Sequence, residues 1–167
     1  TGLSFSPFEN VTAISSLYWG PENARQGGHR RFLLSNVVTW KVTDKLSLMG
    51  NIDFGNERRV SGLNGFTFKN AQWHGYAGYA RYQLTDKWAF AYRTEVFRDD
   101  DTFRTIANTT TPDDETLWEQ TITAEYEIYT NLIGRLEYRY DKSDDRQVLN
   151  GHTSQQTIGA QLIYKFA

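Results

Sequence analysis

Three short turn signals punctuate the chain: Val42-Thr43-Asp44-Lys45, Leu84-Thr85-Asp86-Lys87 and Tyr129-Thr130-Asn131-Leu132. Their threonines stand 42 and 45 residues apart. On either side of each signal about ten residues alternate apolar with polar or charged, the period of a half-buried strand. Each repeat is therefore two strands. Between one signal and the next lie longer polar, charged or glycine-rich stretches, at roughly residues 20–29, 55–69, 99–115 and 142–154. Three tight turns at one end and four long loops at the other predict an all-β fold, an up-and-down antiparallel β-barrel of eight strands, in one domain spanning residues 1–167.

Period two assigns each residue a side. The stretch 132–141 is the clearest, with Leu132, Gly134, Leu136, Tyr138 and Tyr140 against Arg135, Glu137, Arg139 and Asp141. Before the turn at Thr130, Trp118, Ile122, Ala124, Tyr126 and Ile128 oppose Glu119, Thr121, Thr123, Glu125 and Glu127. After Thr85, Trp88, Phe90, Tyr92 and Val96 oppose Arg93 and Glu95; after Thr43, Leu46, Leu48, Ile52 and Phe54 oppose Ser47, Asn51 and Asp53. The last strand sets Ile158, Ala160, Leu162, Tyr164 and Phe166 against Gln161 and Lys165. Two places resist the pattern: Asn36 falls among Leu34, Val38 and Trp40, and Thr12, Ser15 and Ser16 blur residues 11–19. Residues 3–10 read either as the alternating tail of a preceding strand with its own short turn or as a disordered leader.

Alternation alone does not say which side faces out. A soluble lipocalin-like barrel turns its apolar face inward around an apolar ligand, and a membrane barrel turns it to lipid. Three features favour lipid. Aromatic residues gather at both strand ends of the apolar face, Trp40, Tyr82, Trp88, Tyr164 and Phe166 by the short turns and Phe54, Trp118 and Tyr140 by the long loops, as two lipid–water interfaces would select. The polar face carries both signs on neighbouring strands: Arg81, then Arg93 and Glu95, then Glu125 and Glu127, then Arg135, Glu137 and Arg139, with Lys165 on the last. Such an arrangement reads as a cross-strand charge ladder in a lumen. The chain also ends on an amphipathic strand, Tyr164-Lys165-Phe166-Ala167, for which a soluble barrel has no evident use.

Composition narrows the classes further. No apolar run approaches twenty residues and mean hydropathy is −0.62, which excludes a transmembrane helix but not spanning strands, since these need only half their residues apolar. A net charge of −2 points to no nucleic-acid partner. The lack of cysteine suits a chain that crosses an oxidising periplasm unfolded. No secretory signal stands at the start, as expected of a mature or recombinant form of an exported chain.

The ending resembles the C-terminal assembly signal of bacterial outer-membrane proteins, although Gly159 comes two residues early and Ala167 follows the phenylalanine. More of the chain carries a second resemblance: Tyr18-Trp19-Gly20-Pro21-Glu22, Val42-Thr43-Asp44-Lys45-Leu46-Ser47-Leu48, Gly78-Tyr79-Ala80-Arg81-Tyr82-Gln83-Leu84-Thr85-Asp86-Lys87, Arg93-Thr94-Glu95-Val96-Phe97-Arg98-Asp99-Asp100 and Arg135-Leu136-Glu137-Tyr138-Arg139. Together these resemble the C-terminal half of the β-barrel porin-2 family of bacterial outer-membrane porins. That resemblance implies residence in the outer membrane, contact with membrane lipid and lipopolysaccharide, and insertion by the outer-membrane assembly machinery through the C-terminal strand. It further implies passive diffusion of small hydrophilic solutes through a barrel of about twice eight strands. Eight strands alone close to an interior that side chains fill, so an isolated barrel of this length is expected to conduct little or nothing.

Catalytic chemistry finds no support. His29, His74 and His152 map to the long-loop end but match no metal-ligand spacing, and Ser35, Ser47 and Ser154 lack a nucleophile context. No metal, cofactor or catalytic group is expected, and a loop-end enzyme is the weaker alternative. The acidic runs Asp99-Asp100-Asp101, Asp113-Asp114-Glu115 and Asp144-Asp145 read either as solvated loops or as sites for divalent cations beside lipopolysaccharide phosphates. Asn10-Val11-Thr12 and Asn108-Thr109-Thr110 match a glycosylation pattern without meaning in a bacterial outer membrane.

Overall fold

The computed structural model describes residues 1–21, 30–61, 68–101, 104–105, 114–144 and 149–166. His29, the Asn108 glycosylation pattern, Asp113 and Asp145 lie outside them. Nine strands follow in order: β1 (Gly2–Phe8), β2 (Val11–Pro21), β3 (Arg30–Lys41), β4 (Leu46–Ser61), β5 (Phe68–Gln83), β6 (Trp88–Asp99), β7 (Glu115–Tyr129), β8 (Leu132–Ser143) and β9 (Ser154–Tyr164). Each pairs antiparallel with its sequence neighbours in one sheet, the up-and-down topology that the turn spacing predicts.

The threonine of the turn signal has a physical task. Thr43 Oγ1 accepts the backbone N–H groups of Lys45 (3.2 Å) and Leu46 (3.0 Å), and Thr85 Oγ1 accepts those of Lys87 (3.3 Å) and Trp88 (3.0 Å). In both turns the residue before the threonine donates its N–H to the first residue of the next strand, Val42 to Leu46 and Leu84 to Trp88, each at 2.9 Å. A hydroxyl that satisfies two turn amides fixes where one strand stops and the next begins. At Thr130-Asn131 the connection shrinks to two residues, with a register slip between Glu127 and Tyr129.

The strand count differs from expectation by one. The tail at residues 3–10 is a strand: Leu3, Ser4 and Phe5 pair with Ser15, Ile14 and Ala13, and Thr1 and Leu17 exchange backbone bonds at 2.7 and 2.9 Å. Seven residues, with Leu3, Phe5 and Phe8 exposed and a register shift between the last two, are too few for periodicity to separate a strand from a leader. A second difference lies at 55–69, expected as a loop. Residues 55–61 continue β4, and β5 begins at Phe68, with Glu57 opposite Ala71 and Ser61 opposite Phe68. Beyond an apolar band a hairpin needs only its backbone ladder, so polar sequence does not end it. Residues 11–19, whose pattern was blurred, are placed by their partners: Val11, Ala13, Ser15, Leu17 and Trp19 oppose Trp40, Val38, Asn36, Leu34 and Phe32 on the apolar face. Ser15 and Asn36, the misfits, are register partners.

Burial is inverted relative to a water-soluble fold. The apolar face is exposed, including Trp40, Ile52, Trp88, Ile122, Leu136 and Leu162, while the most deeply buried large side chains are Glu57, Asp99 and Glu115. The polar face is the concave one. A hollow of about 410 Å³ is lined from Ser16 and Tyr18 on β2 across to Glu95 and Phe97 on β6, and another of about 380 Å³ from Thr39 on β3 across to Arg135 and Glu137 on β8. A lipocalin-like barrel would place its apolar side chains in that concavity, and here they stand on the opposite face.

Near the long-loop end the concave face holds a small apolar cluster of Ala71, Trp73 and Phe97. Trp73 lies over Gly55, its register partner, and Arg104 stacks on the indole at 4.2 Å. A Cβ at Gly55 would fall 1.9 Å from the Trp73 ring, whereas one at Gly50 meets nothing within 4 Å. Gly55→Ala is therefore expected to lower stability in micelles by about 1–3 kcal/mol, and Gly50→Ala to change it by less than about 0.5 kcal/mol. Urea midpoints followed by heat-modifiable gel migration measure both.

Candidate functional site

The concave face gathers the charged residues into two hubs, each centred on a β7 carboxylate. Glu125 accepts Arg81 Nη2 from β5 at 3.0 Å, and Arg135 Nε (3.0 Å) and Nη2 (2.5 Å) from β8. Arg81 reaches β7 by passing over β6. That passage is open because its β6 partner is Ala91 and the residue opposite Glu125 is the buried Ala89. Alanine at both positions leaves the room that a guanidinium stem needs.

The second hub is Glu119. Both its oxygens accept from Arg93, Nε at 2.9 Å and Nη2 more closely, in the fork geometry that suits a carboxylate. The Thr121 hydroxyl donates to the same carboxylate, and Arg139 approaches it at 3.8 Å while bonding Asp141 through Nε at 2.8 Å. Register explains the set, since Arg93 and Arg139 both lie opposite Thr121, and Asp141 lies opposite Glu119. Glu119, Thr121, Thr123 and Asp141 are all buried. A third pair stands by the long loops, where Arg31 Nε meets the fully buried Glu57 at 2.7 Å.

Of the charged residues singled out from sequence, Arg81, Arg93, Glu125, Arg135 and Arg139 meet in these hubs. Glu95, Glu127 and Glu137 share the face without an ion pair among the described residues. Glu95 stands opposite Glu119 in the hollow with Asn51 and Asp53, Glu127 lies opposite Ile133, and Glu137 accepts the Thr123 hydroxyl at 3.2 Å. Lys165 is exposed just past β9, held by its backbone bond to Asn131 at 2.8 Å. Glu119 and Asp141 were visible in the alternation but not as hubs, and Arg31–Glu57 was missed because Glu57 lay in a segment read as loop.

On the convex face stand Trp40, Phe54, Tyr82, Trp88, Trp118, Tyr140 and Tyr164, with Phe166 beyond the last strand. At the short-turn end Trp88 packs on Tyr126 (4.7 Å) and Phe90 (6.1 Å), and Tyr164 meets Phe166 edge-on at 5.1 Å. Toward the long loops Phe54, His74 and Tyr76 cluster at 5.6–6.4 Å, and Arg30 lies 4.8 Å above Trp19, an aromatic the sequence reading left out of the belts. His74 is thus part of an aromatic group, 3.9 Å from Asp100, and His152 sits in an isolated bridge with Leu149. No group of three or more metal-ligating side chains is arranged to hold an ion among the described residues. The run Asp99-Asp100-Asp101 organises its own loop. Asp99 accepts the N–H groups of Arg104 (2.5 Å) and Thr105 (2.9 Å), Asp100 accepts Arg98 Nε at 3.0 Å, and Asp101 accepts the Gln72 N–H at 3.0 Å.

The sheet is thus a single antiparallel layer with its charged side chains on the concave face and its aromatic ones on the convex face. Over residues 1–166 the chain matches the family described as "Putative beta-barrel porin-2, OmpL-like". The chain belongs to this family. No curated protein matches it. A solved structure, "NanC porin structure in rhombohedral crystal form", superposes with a TM-score of 0.67 at 17% identity, covering 99% of this chain and 76% of that one. At that identity the likeness speaks for the fold, and with the family it makes the chain a porin-related β-barrel protein of the outer-membrane type.

Because Glu119 holds charged donors from two strands, Glu119→Gln is expected to cost about 1.5–3 kcal/mol. Glu137→Gln, which loses one hydroxyl bond, is expected to cost less than about 1 kcal/mol. Urea titration of the two variants in the same micelle separates them.

Proposed function

We propose that the charged concave face lines a passive diffusion path for small hydrophilic solutes across the bacterial outer membrane, with the convex face in lipid. The observation that carries this reading is the inverted burial, with carboxylates and hydroxyls sheltered in the concavity and tryptophans, isoleucines and leucines exposed on the other face. Lipid accepts that exposed face without cost, and water inside the wall solvates the arginines and carboxylates that lipid would exclude. The aromatic clusters near both strand ends serve as interfacial belts, and lipopolysaccharide is the natural neighbour of those beside the long loops. The terminal strand, with Tyr164 and Phe166 exposed, is the element offered to the outer-membrane assembly machinery. In this reading the protein performs no catalysis, and neither a cofactor nor a nucleic acid takes part.

The hubs have a role in transport as well as in folding. Arg81, Arg93 and Arg135 line one hollow together with Glu125 and Glu137, while the charged residues lining the other are Asp53 and Glu95, so one sector of the concavity carries both signs and the other is acidic. Solutes that pass are then sorted by charge as well as by size. The product of the full reading frame, reconstituted in planar bilayers, is expected to show steady ohmic conductance. Replacing Arg81 and Arg135 by Gln together is expected to move its reversal potential toward cation preference by at least about threefold in permeability ratio. The 167-residue chain alone is expected to give no stable steps, because its two edge strands do not pair with each other. A silent full-length protein that is folded in the bilayer would remove the pore reading.

A further inference from the structure

Among the described residues, the cations of the convex face stand at one end of it. The convex positions nearest the short turns include Trp40, Leu46, Tyr82, Trp88, Leu132 and Tyr164, none of them charged. Toward the long loops the same face carries Arg30, Arg58, Arg98 and Lys142. Arg98 is engaged, since it donates to Asp100 at 3.0 Å and to Asp114. On the concave side Arg31, Arg81, Arg93, Arg135 and Arg139 each reach a carboxylate as well. Arg30 and Arg58 reach none among the described residues.

These two arginines share a cleft of about 310 Å³ with Trp19, Phe32 and Asn56. Register orders its walls. Trp19, Phe32 and Asn56 form one row across β2, β3 and β4, and Arg30 and Arg58 stand two residues nearer the long loops on β3 and β4. The next convex row toward the short turns is apolar, with Leu17, Leu34 and Phe54. Cation, aromatic cleft and hydrocarbon bed thus follow one another along the wall, the order in which an anionic lipid presents its head and chains. Arg30 lies 4.8 Å above the Trp19 ring, a stacking that holds the guanidinium while its N–H edge stays free to bond. Two such groups at the edge of the hydrocarbon need a counter-charge. The long loops of an outer-membrane barrel lie on the outer side, so the cleft opens at the level of the outer-leaflet headgroups. We propose that it docks the phosphorylated glycolipid of lipopolysaccharide, with a phosphate between Arg30 and Arg58 and an acyl chain along Leu17, Leu34 and Phe54. The forked guanidinium matches phosphate oxygens two at a time, which a point charge does not. This rests on the outer-membrane reading above and turns a general neighbour into a site.

Native mass spectrometry of the full reading-frame product in a detergent micelle, titrated with diphosphorylated lipid A, tests the proposal. Lipid A is expected to stay bound, and the same lipid stripped of its phosphates to bind at least about tenfold more weakly. Replacing Arg30 and Arg58 by Gln together is expected to weaken lipid A by about tenfold or more. Arg98→Gln, which removes a cation of the same face that already has carboxylates, is expected to change it by less than about twofold. Equal retention of lipid A by the double variant, or equal retention of the two forms of the lipid by the unaltered protein, would overturn the proposal. So would phosphatidylglycerol held as tightly as lipid A, or inorganic phosphate that displaces lipid A at equal concentration. Heat-modifiable gel migration shows that each variant is folded; should the double variant not fold, the unaltered protein with the two forms of the lipid decides. A protein that stays folded and monodisperse without detergent would lose the membrane reading itself, whereas one that needs detergent and ignores the phosphates loses this inference alone.

Discussion

Everything in this protein hangs on the backbone ladder between sequence neighbours. A single-layer sheet has no second layer to pack against, and the buried apolar residues among those described are only Ala71, Trp73 and Ala89. The free energy that an ordinary domain draws from burying leucines is here left to the solvent on the convex side. What remains inside the fold is a continuous ladder from β1 to β9, four short turns that each return the chain to its neighbour, and the side chains that curvature brings together on the concave side. Register is consequently the variable that matters most, since a slip of one residue would exchange the two faces.

The charge hubs turn that register into a fixed arrangement. Glu125 joins β5, β7 and β8, and Glu119 joins β6, β7 and β8, so each carboxylate penalises slippage at more than one ladder. The Glu125 hub needs small neighbours. Ala89 and Ala91 open the crossing for Arg81, and Gly55 makes room for Trp73 in the same way near the long loops. Small residues on the concave face are thus as much a part of its electrostatics as the charges.

Faces were legible in the sequence and pairings were not. Period two alone separates Leu136 from Glu137 and Ile122 from Thr123, because the side of a strand is a local property. Which arginine meets which carboxylate depends on turn length and on slips such as that at Glu127–Tyr129, which no alternation records. The same logic explains the ninth strand and the long β4–β5 hairpin. Leu3 and Phe5 offer one period of alternation, and residues 55–61 offer almost none, so only their pairing partners reveal them as strands. The sheet has nine strands where eight were expected, and the hubs occupy one sector of its concave face.

The central claim is that the convex face meets lipid and the concave face meets water. Spin labels placed singly at residues 133–141 of β8 in the bilayer-reconstituted full product, and read for collision with oxygen and with a water-soluble nickel chelate, address it directly. Oxygen accessibility should peak at positions 134, 136, 138 and 140 and nickel accessibility at 135, 137, 139 and 141, with the two profiles a half-period apart. Profiles in phase with each other, or the opposite assignment of peaks, would contradict the account.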